Sequence, residues 1–151
     1  MKTLVLGIGN PIMSDDGVGF HVAQMLAEKI KDENIDVEDI STSGLNLLEI
    51  IIEYDKVVII DAIMRGGKVG KIYKLWPEDF SGTVHLTGSM HEVNLPTVIK
   101  IGNELMPEKM PKEIVIYAIE VKTVDVFSEE MTKEVEKTVP LVVDRVLEEI
   151  K

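Results

Sequence analysis

Short apolar runs and stretches of helical period alternate along nearly the whole chain. Residues 2–8 (KTLVLGI) are mostly apolar and stop at Gly9-Asn10-Pro11, as a buried strand does on leaving a sheet. From Gly17 the period changes: Val18, Val22, Met25, Leu26 and Ile30 recur at helical spacing to about Asp32, with Lys29 and Lys31 in the last turn. Ile35–Ile40 reads as a second strand. Ser43-Gly44 then opens a helix with Leu45, Leu48, Ile51 and Ile52 on its apolar face and Ser43 as N-cap. Residues 56–61 (KVVIID) give the clearest strand, a β-branched run closed by a carboxylate. An unbroken apolar run implies burial on both faces, as in a parallel sheet.

After Gly66-Gly67, residues 70–76 (GKIYKLW) alternate apolar with polar, which predicts a half-exposed edge strand. Residues 81–90 read as a polar loop. Pro96 falls in the first turn of a helix running to about Met106. Pro107 and Pro111 bracket a linker into the strand 113–121 (EIVIYAIEV). The last helix is expected over about 129–150, with Ser128 as N-cap, a stripe of Met131, Val135, Val139, Val142, Val146 and Ile150, and a kink at Pro140. No internal repeat or low-complexity segment breaks the pattern. The expectation is one domain over residues 1–151: an α/β fold, a three-layer α/β/α sandwich on a mostly parallel sheet of about five strands with an antiparallel edge strand. In such sheets ligands bind beyond the carboxyl ends of the strands. That rule selects the loop from Gly9 to Asp16 and the strand end at Asp61.

Composition narrows the function classes. Hydrophobic residues make up 45% of the chain, which excludes disorder. The absence of cysteine removes disulfides, thiolate metal sites and cysteine nucleophiles, and it suits a cytoplasmic setting. The first residues lack the long apolar region of a signal peptide, and no apolar stretch approaches the ~20 residues of a membrane helix. A net charge of −11 repels phosphate backbones. Neither nucleic acid nor membrane is an expected partner.

The first loop, GIGNPIMSDDGVG from Gly7 to Gly19, competes with a dinucleotide fingerprint. That fingerprint needs a third glycine at position 12, which is Ile12, and two adjacent acids stand where a pyrophosphate would approach. Ser14, Asp15 or Asp16 can cap the following helix. One acid suffices for a cap, so a second, outward-facing carboxylate reads as a ligand. Asp61 either caps a turn or projects from the functional edge. Of the histidines, His21 reads as a packing or surface residue, His85 is uninformative, and His91 is the candidate ligand. An imidazole and two carboxylates suit a divalent transition metal and leave its coordination open. There is no HExxH.

VLGIGNPIMSDDGVG (Val5 to Gly19), VVIIDAI (Val57 to Ile63) and SMHEVNLP (Ser89 to Pro96), in this order, resemble the hydrogenase maturation proteases. The resemblance implies an endopeptidase that cuts the C-terminal extension from a NiFe-hydrogenase large-subunit precursor once nickel is inserted. The family's metal-binding acids fall on Asp16 and Asp61 and its histidine on His91, while Asp15 matches a neighbouring acid. A departure follows the second strand: the family's Asp-Gly-Gly-Thr-like turn corresponds to Asp39-Ile40-Ser41-Thr42, without the glycines.

On this reading nickel arrives with the substrate, although another divalent cation can occupy the site in vitro, and the protease is a monomer. Asp16, Asp61 and His91 grip the nickel and so orient the scissile bond. Hydrolysis then uses a metal-polarised carbonyl or metal-activated water, or an acid such as Asp15 or Asp16 as general base. Two other readings stand beside it: a non-catalytic nickel-sensing escort of the large subunit, and a peptidyl-tRNA hydrolase-like enzyme, whose family also opens with GxGNP.

Overall fold

The computed structural model describes residues 1–41, 46–79 and 95–151. Its elements are β1 (Thr3–Ile8), α1 (Val18–Lys29), β2 (Ile35–Ile40), α2 (Asn46–Ile51), β3 (Lys56–Ile63), β4 (Ile72–Leu75), α3 (Leu95–Leu105), β5 (Glu113–Glu120) and α4 (Lys133–Glu149). Among the described residues the strands form one sheet in the order β2-β1-β3-β5-β4. The first four are mutually parallel, and β4 runs antiparallel along β5. The mixed sheet and its antiparallel edge follow the sequence expectation.

The three central strands explain their own sequences. Leu4, Leu6, Val57, Ile59, Ile114 and Ile116 pack on one face with α2 and α3. Val5, Val58, Ile60, Val115 and Tyr117 pack on the other with α1 and α4. With both faces covered, an alternating pattern would bury polar groups, so the runs are continuous. β4, at the sheet margin, is only partly buried, with Lys74 exposed, as suits a half-exposed strand. Among the described residues no helix is long and apolar enough to cross a membrane.

Two expectations need revision. β3 continues two residues beyond Asp61, to Ile63, because Ala62 and Ile63 still pair with Ile119 and Glu120. Asp61 is therefore inside the strand and fully buried, not at its last residue. α4 begins at Lys133, with Thr132 rather than Ser128 at the N-cap. Ser128 is held by the first loop instead, in an isolated parallel bridge with Met13. Pro140 lies within α4, which is continuous from Lys133 to Glu149. The expected Ser43 cap, the polar loop over residues 81–90, His85 and His91 lie outside the described residues.

At the opposite end of the sheet, Glu149 of α4 gathers three strands. Its carboxylate accepts hydrogen bonds from Lys56 Nζ at 2.7 Å and Tyr117 OH at 2.8 Å, and pairs with Lys74 Nζ at 2.8 Å. Burial pushes this carboxyl up, but the bonds from Lys56, Lys74 and Tyr117 outweigh it and hold the group at about 2, against an ordinary 4.5. A pKa depressed on folding stabilises the fold above the unfolded value. That stabilisation is lost as pH falls from about 4.5 towards 2. We expect urea unfolding to show wild type roughly 2–3 kcal/mol more stable than Glu149→Gln at pH 7, with the gap closing across this acid range.

Candidate active site

The loop leaving β1 is shaped by close backbone contacts. A Cβ on Gly19 would sit 2.5 Å from the carbonyl oxygens of both Ile8 and Ile60, so only glycine lets α1 press onto β1 and β3. The close helix–strand approach that a dinucleotide fold obtains at its third glycine is met here by Gly19 rather than position 12. Gly9, at φ +153°, would place a Cβ 2.0 Å from the carbonyl oxygen of Asp16. The acidic turn is thus folded back directly over the end of β1.

That turn is a 3-10 segment, Ser14–Gly17. Its two acids have opposite fates. Asp15 is fully buried. Its Oδ2 accepts bonds from the backbone N–H groups of Lys122 and Thr123, both at 3.0 Å, and from Thr132 Oγ1 at 3.1 Å. Its Oδ1 accepts from Thr132 N at 2.7 Å. Because Thr132 caps α4, the same carboxylate complements the positive end of that helix. Both oxygens take part in this tether.

Asp16 is half-buried and turned differently. Its Oδ2 accepts a bond from Asn10 N at 3.1 Å, so the carboxylate leans over the strand end rather than into the junction with α4. Gly7 of β1 pairs with Ile60 of β3. The next residue of β3 is Asp61, and the Ser14–Gly17 turn contacts that strand. Asp16, in the turn after β1, and Asp61, two residues before the end of β3, therefore both lie towards the carboxyl-terminal side of neighbouring parallel strands. Asp61 Oδ1 accepts its own successor's amide, Ala62 N, at 2.7 Å. By strand alternation Asp61 faces the side on which Val57, Ile59 and Ile63 pack against α2 and α3.

Among the described residues no three His, Cys, Asp or Glu side chains form a metal-holding group, and His91 lies outside them. His21 is half-buried in α1, edge-on to Phe20 with ring centroids 5.4 Å apart. Burial pulls its pKa below the ordinary 6.5, with Glu136 opposing. It packs, as its sequence position suggested.

A third buried acid escaped the sequence reading. Glu120, at the end of β5, accepts bonds from Arg65 N at 2.9 Å, Gly67 N at 3.2 Å and Tyr73 OH at 3.2 Å. It pins the loop that follows β3, two residues beyond Asp61. The available signal was a glutamate in an otherwise apolar run, since a buried charge requires partners. Beside the acidic turn opens a cleft of about 440 Å³ lined by Gly9, Pro11, Phe20, Asp39, Ile40 and Ile50, among others.

Residues 20–149 match the sequence profile of the family described as HycI: Hydrogenase maturation protease. The chain belongs to the hydrogenase maturation protease family. A relative in this family, the hydrogenase expression/formation protein HupD of Bradyrhizobium diazoefficiens, is 30% identical over 120 residues, covering 76% of this chain and 60% of that protein. The chain spans about three-fifths of the length of the curated relatives it matches. Among solved structures, the hydrogenase maturating endopeptidase HybD from E. coli superposes with a TM-score of 0.84 at 24% identity, over 99% of this chain and 92% of that one. The [NiFe] hydrogenase maturation protease HybD from Thermococcus kodakarensis superposes at 0.79 with 25% identity, over 100% of both. Family membership sets aside the peptidyl-tRNA hydrolase alternative, whose GxGNP opening this family shares.

Proposed function

We propose that this hydrogenase maturation protease is a cytoplasmic, monomeric endopeptidase. It removes the C-terminal extension of a NiFe-hydrogenase large-subunit precursor after nickel insertion, and reads the precursor's nickel through Asp16, Asp61 and His91. The observation that carries this reading is that the turn holding Asp16 packs against β3, the strand that holds Asp61. α3 supports it: Leu95, four residues beyond His91, is fully buried on the face that Asp61 shares with Ile59 and Ile63.

Carboxylate and imidazole donors suit a borderline divalent ion whose remaining ligands come from elsewhere, here the substrate. Nickel so held serves to orient and polarise the scissile carbonyl. The chain's own contribution is positional. Gly9 and the bond from Asn10 N fix Asp16 over β1, the strand register fixes Asp61, and the cleft beside them suits an extended tail. Asp15, whose oxygens hold the scaffold together, keeps the turn that carries Asp16 in place.

The direct test incubates the purified protein with precursor isolated with and without nickel, and reads tail release by mass spectrometry. Release confined to nickel-loaded precursor is expected. A stable complex that never releases the tail would make the protein an escort instead.

A further inference from the structure

The Asp15 tether does more than hold two loops together; it presents an apolar surface beside the site. Residues 122–132 run along the first loop and are fixed to it at many points. Besides the four bonds into the Asp15 carboxylate, Asp15 N donates to Thr123 O at 2.9 Å, Ser128 N to Ile12 O at 2.9 Å and Ser14 N to Ser128 O at 2.8 Å. Ser14 Oγ adds a bond to Glu130 O at 3.0 Å. The Met13–Ser128 bridge sets Ile12 and Phe127 at matched lateral positions.

The result is unusual for a surface. Phe127 is 82% exposed, Val126 49% and Ile12 47%. Burying such a phenyl ring is worth about 1.5–3 kcal/mol, yet the backbone around it is tied down in a way that keeps it in solvent. A ring held outward by a rigid backbone is preorganised to bind, because little conformational freedom remains to be lost on contact. Exposed charges flank it along the segment: Asp125, Glu129 and Glu130, with Lys122 the single base among them.

We infer that Ile12, Val126 and Phe127 form a docking platform for the folded body of the same precursor whose tail enters the cleft. Its complement on that partner is an apolar depression bordered by lysines and arginines. This rests on the processing function proposed above. Two features select the occupant. The platform joins the loop that carries Asp16 to the segment bonded to it, so a protein seated on it delivers its tail to the adjoining edge. The acidic rim favours a basic partner over a second copy of this chain, whose net charge is −11. Phe127 contacts no reacting group on this reading and acts through substrate positioning.

The test measures processing of full-length, nickel-loaded precursor by wild type, Phe127→Ser, Phe127→Leu and a Glu129→Lys, Glu130→Lys pair. Phe127→Ser is expected to raise KM at least about tenfold with kcat and thermal midpoint unchanged. Phe127→Leu should restore most of the loss, and the charge-reversed pair should slow association and weaken its salt dependence. If wild type processes the precursor and Phe127→Ser does so with the same KM, the platform is wrong and the protease reading stands. If wild type neither binds nor cleaves the precursor, both fall. If Phe127→Ser alters only self-association in sedimentation, the surface belongs to a second copy and the inference is overturned.

Discussion

Asp16→Asn is expected to lower tail release from nickel-loaded precursor by at least about a hundredfold while leaving thermal stability nearly unchanged. The substitution keeps the side-chain shape and an oxygen that can still accept from Asn10 N. A neutral hydrogen bond in place of a charged one at a half-buried position costs about 1 kcal/mol. What it removes is negative charge aimed at a cation. Asp61→Asn and His91→Ala should produce comparable losses in the same assay. Asp61 is a sharper test of role, because it is fully buried within an apolar strand. Should Asp61→Asn unfold the protein rather than silence it, the residue is structural and the metal-gripping assignment loses a member.

Asp15→Ala should behave oppositely. It removes an acceptor shared by three backbone amides and one hydroxyl, leaving buried donors that water reaches poorly. Each unsatisfied group costs about 1–3 kcal/mol, and loss of a buried charged hub is among the few ways a single substitution exceeds about 4 kcal/mol. For a chain of this size that lowers the melting temperature by roughly 8–16 °C. Calorimetry on Asp15→Ala and Asp16→Asn side by side distinguishes the adjacent acids. Equal melting points for the two variants would contradict the division of labour described here. Activity should also fall in Asp15→Ala, since the turn carrying Asp16 loses its attachment to the α4 junction.

How much of this was readable from the chain follows from the range of the interactions involved. The central strands were legible because a strand buried on both faces disfavours polar residues along most of its length, so Leu4–Leu6 and Val57–Ile60 appear as unbroken runs. β4 was legible because a margin strand is only partly buried and so admits polar residues such as Lys74. The parallel-sheet rule pointed to the edge where the Ser14–Gly17 turn meets β3, while the choice of Asp16 over Asp15 came from the family resemblance and not from the local pattern. The assignment of which acid faced inward was not available. Asp15 finds its partners at Lys122, Thr123 and Thr132, more than a hundred positions along the chain, and local periodicity carries no information at that range.

The same long contacts explain the errors at element ends. Thr132 replaces Ser128 at the start of α4 because the segment before it is claimed by hydrogen bonds to the first loop. β3 outruns its apolar signal because pairing with β5 continues past Asp61. Glu120 illustrates the reverse case. Its charge stood out in an apolar strand, but only the fold reveals that the amides of Arg65 and Gly67 and the Tyr73 hydroxyl receive it.

The most direct measurement is a crystal structure of the protein soaked with a divalent cation such as nickel. One ion bound by a carboxylate oxygen of Asp16, one of Asp61 and an imidazole nitrogen of His91, each at about 2.0–2.2 Å, is the predicted result. An ion bound elsewhere, with these three side chains too far apart to share one, would contradict the account.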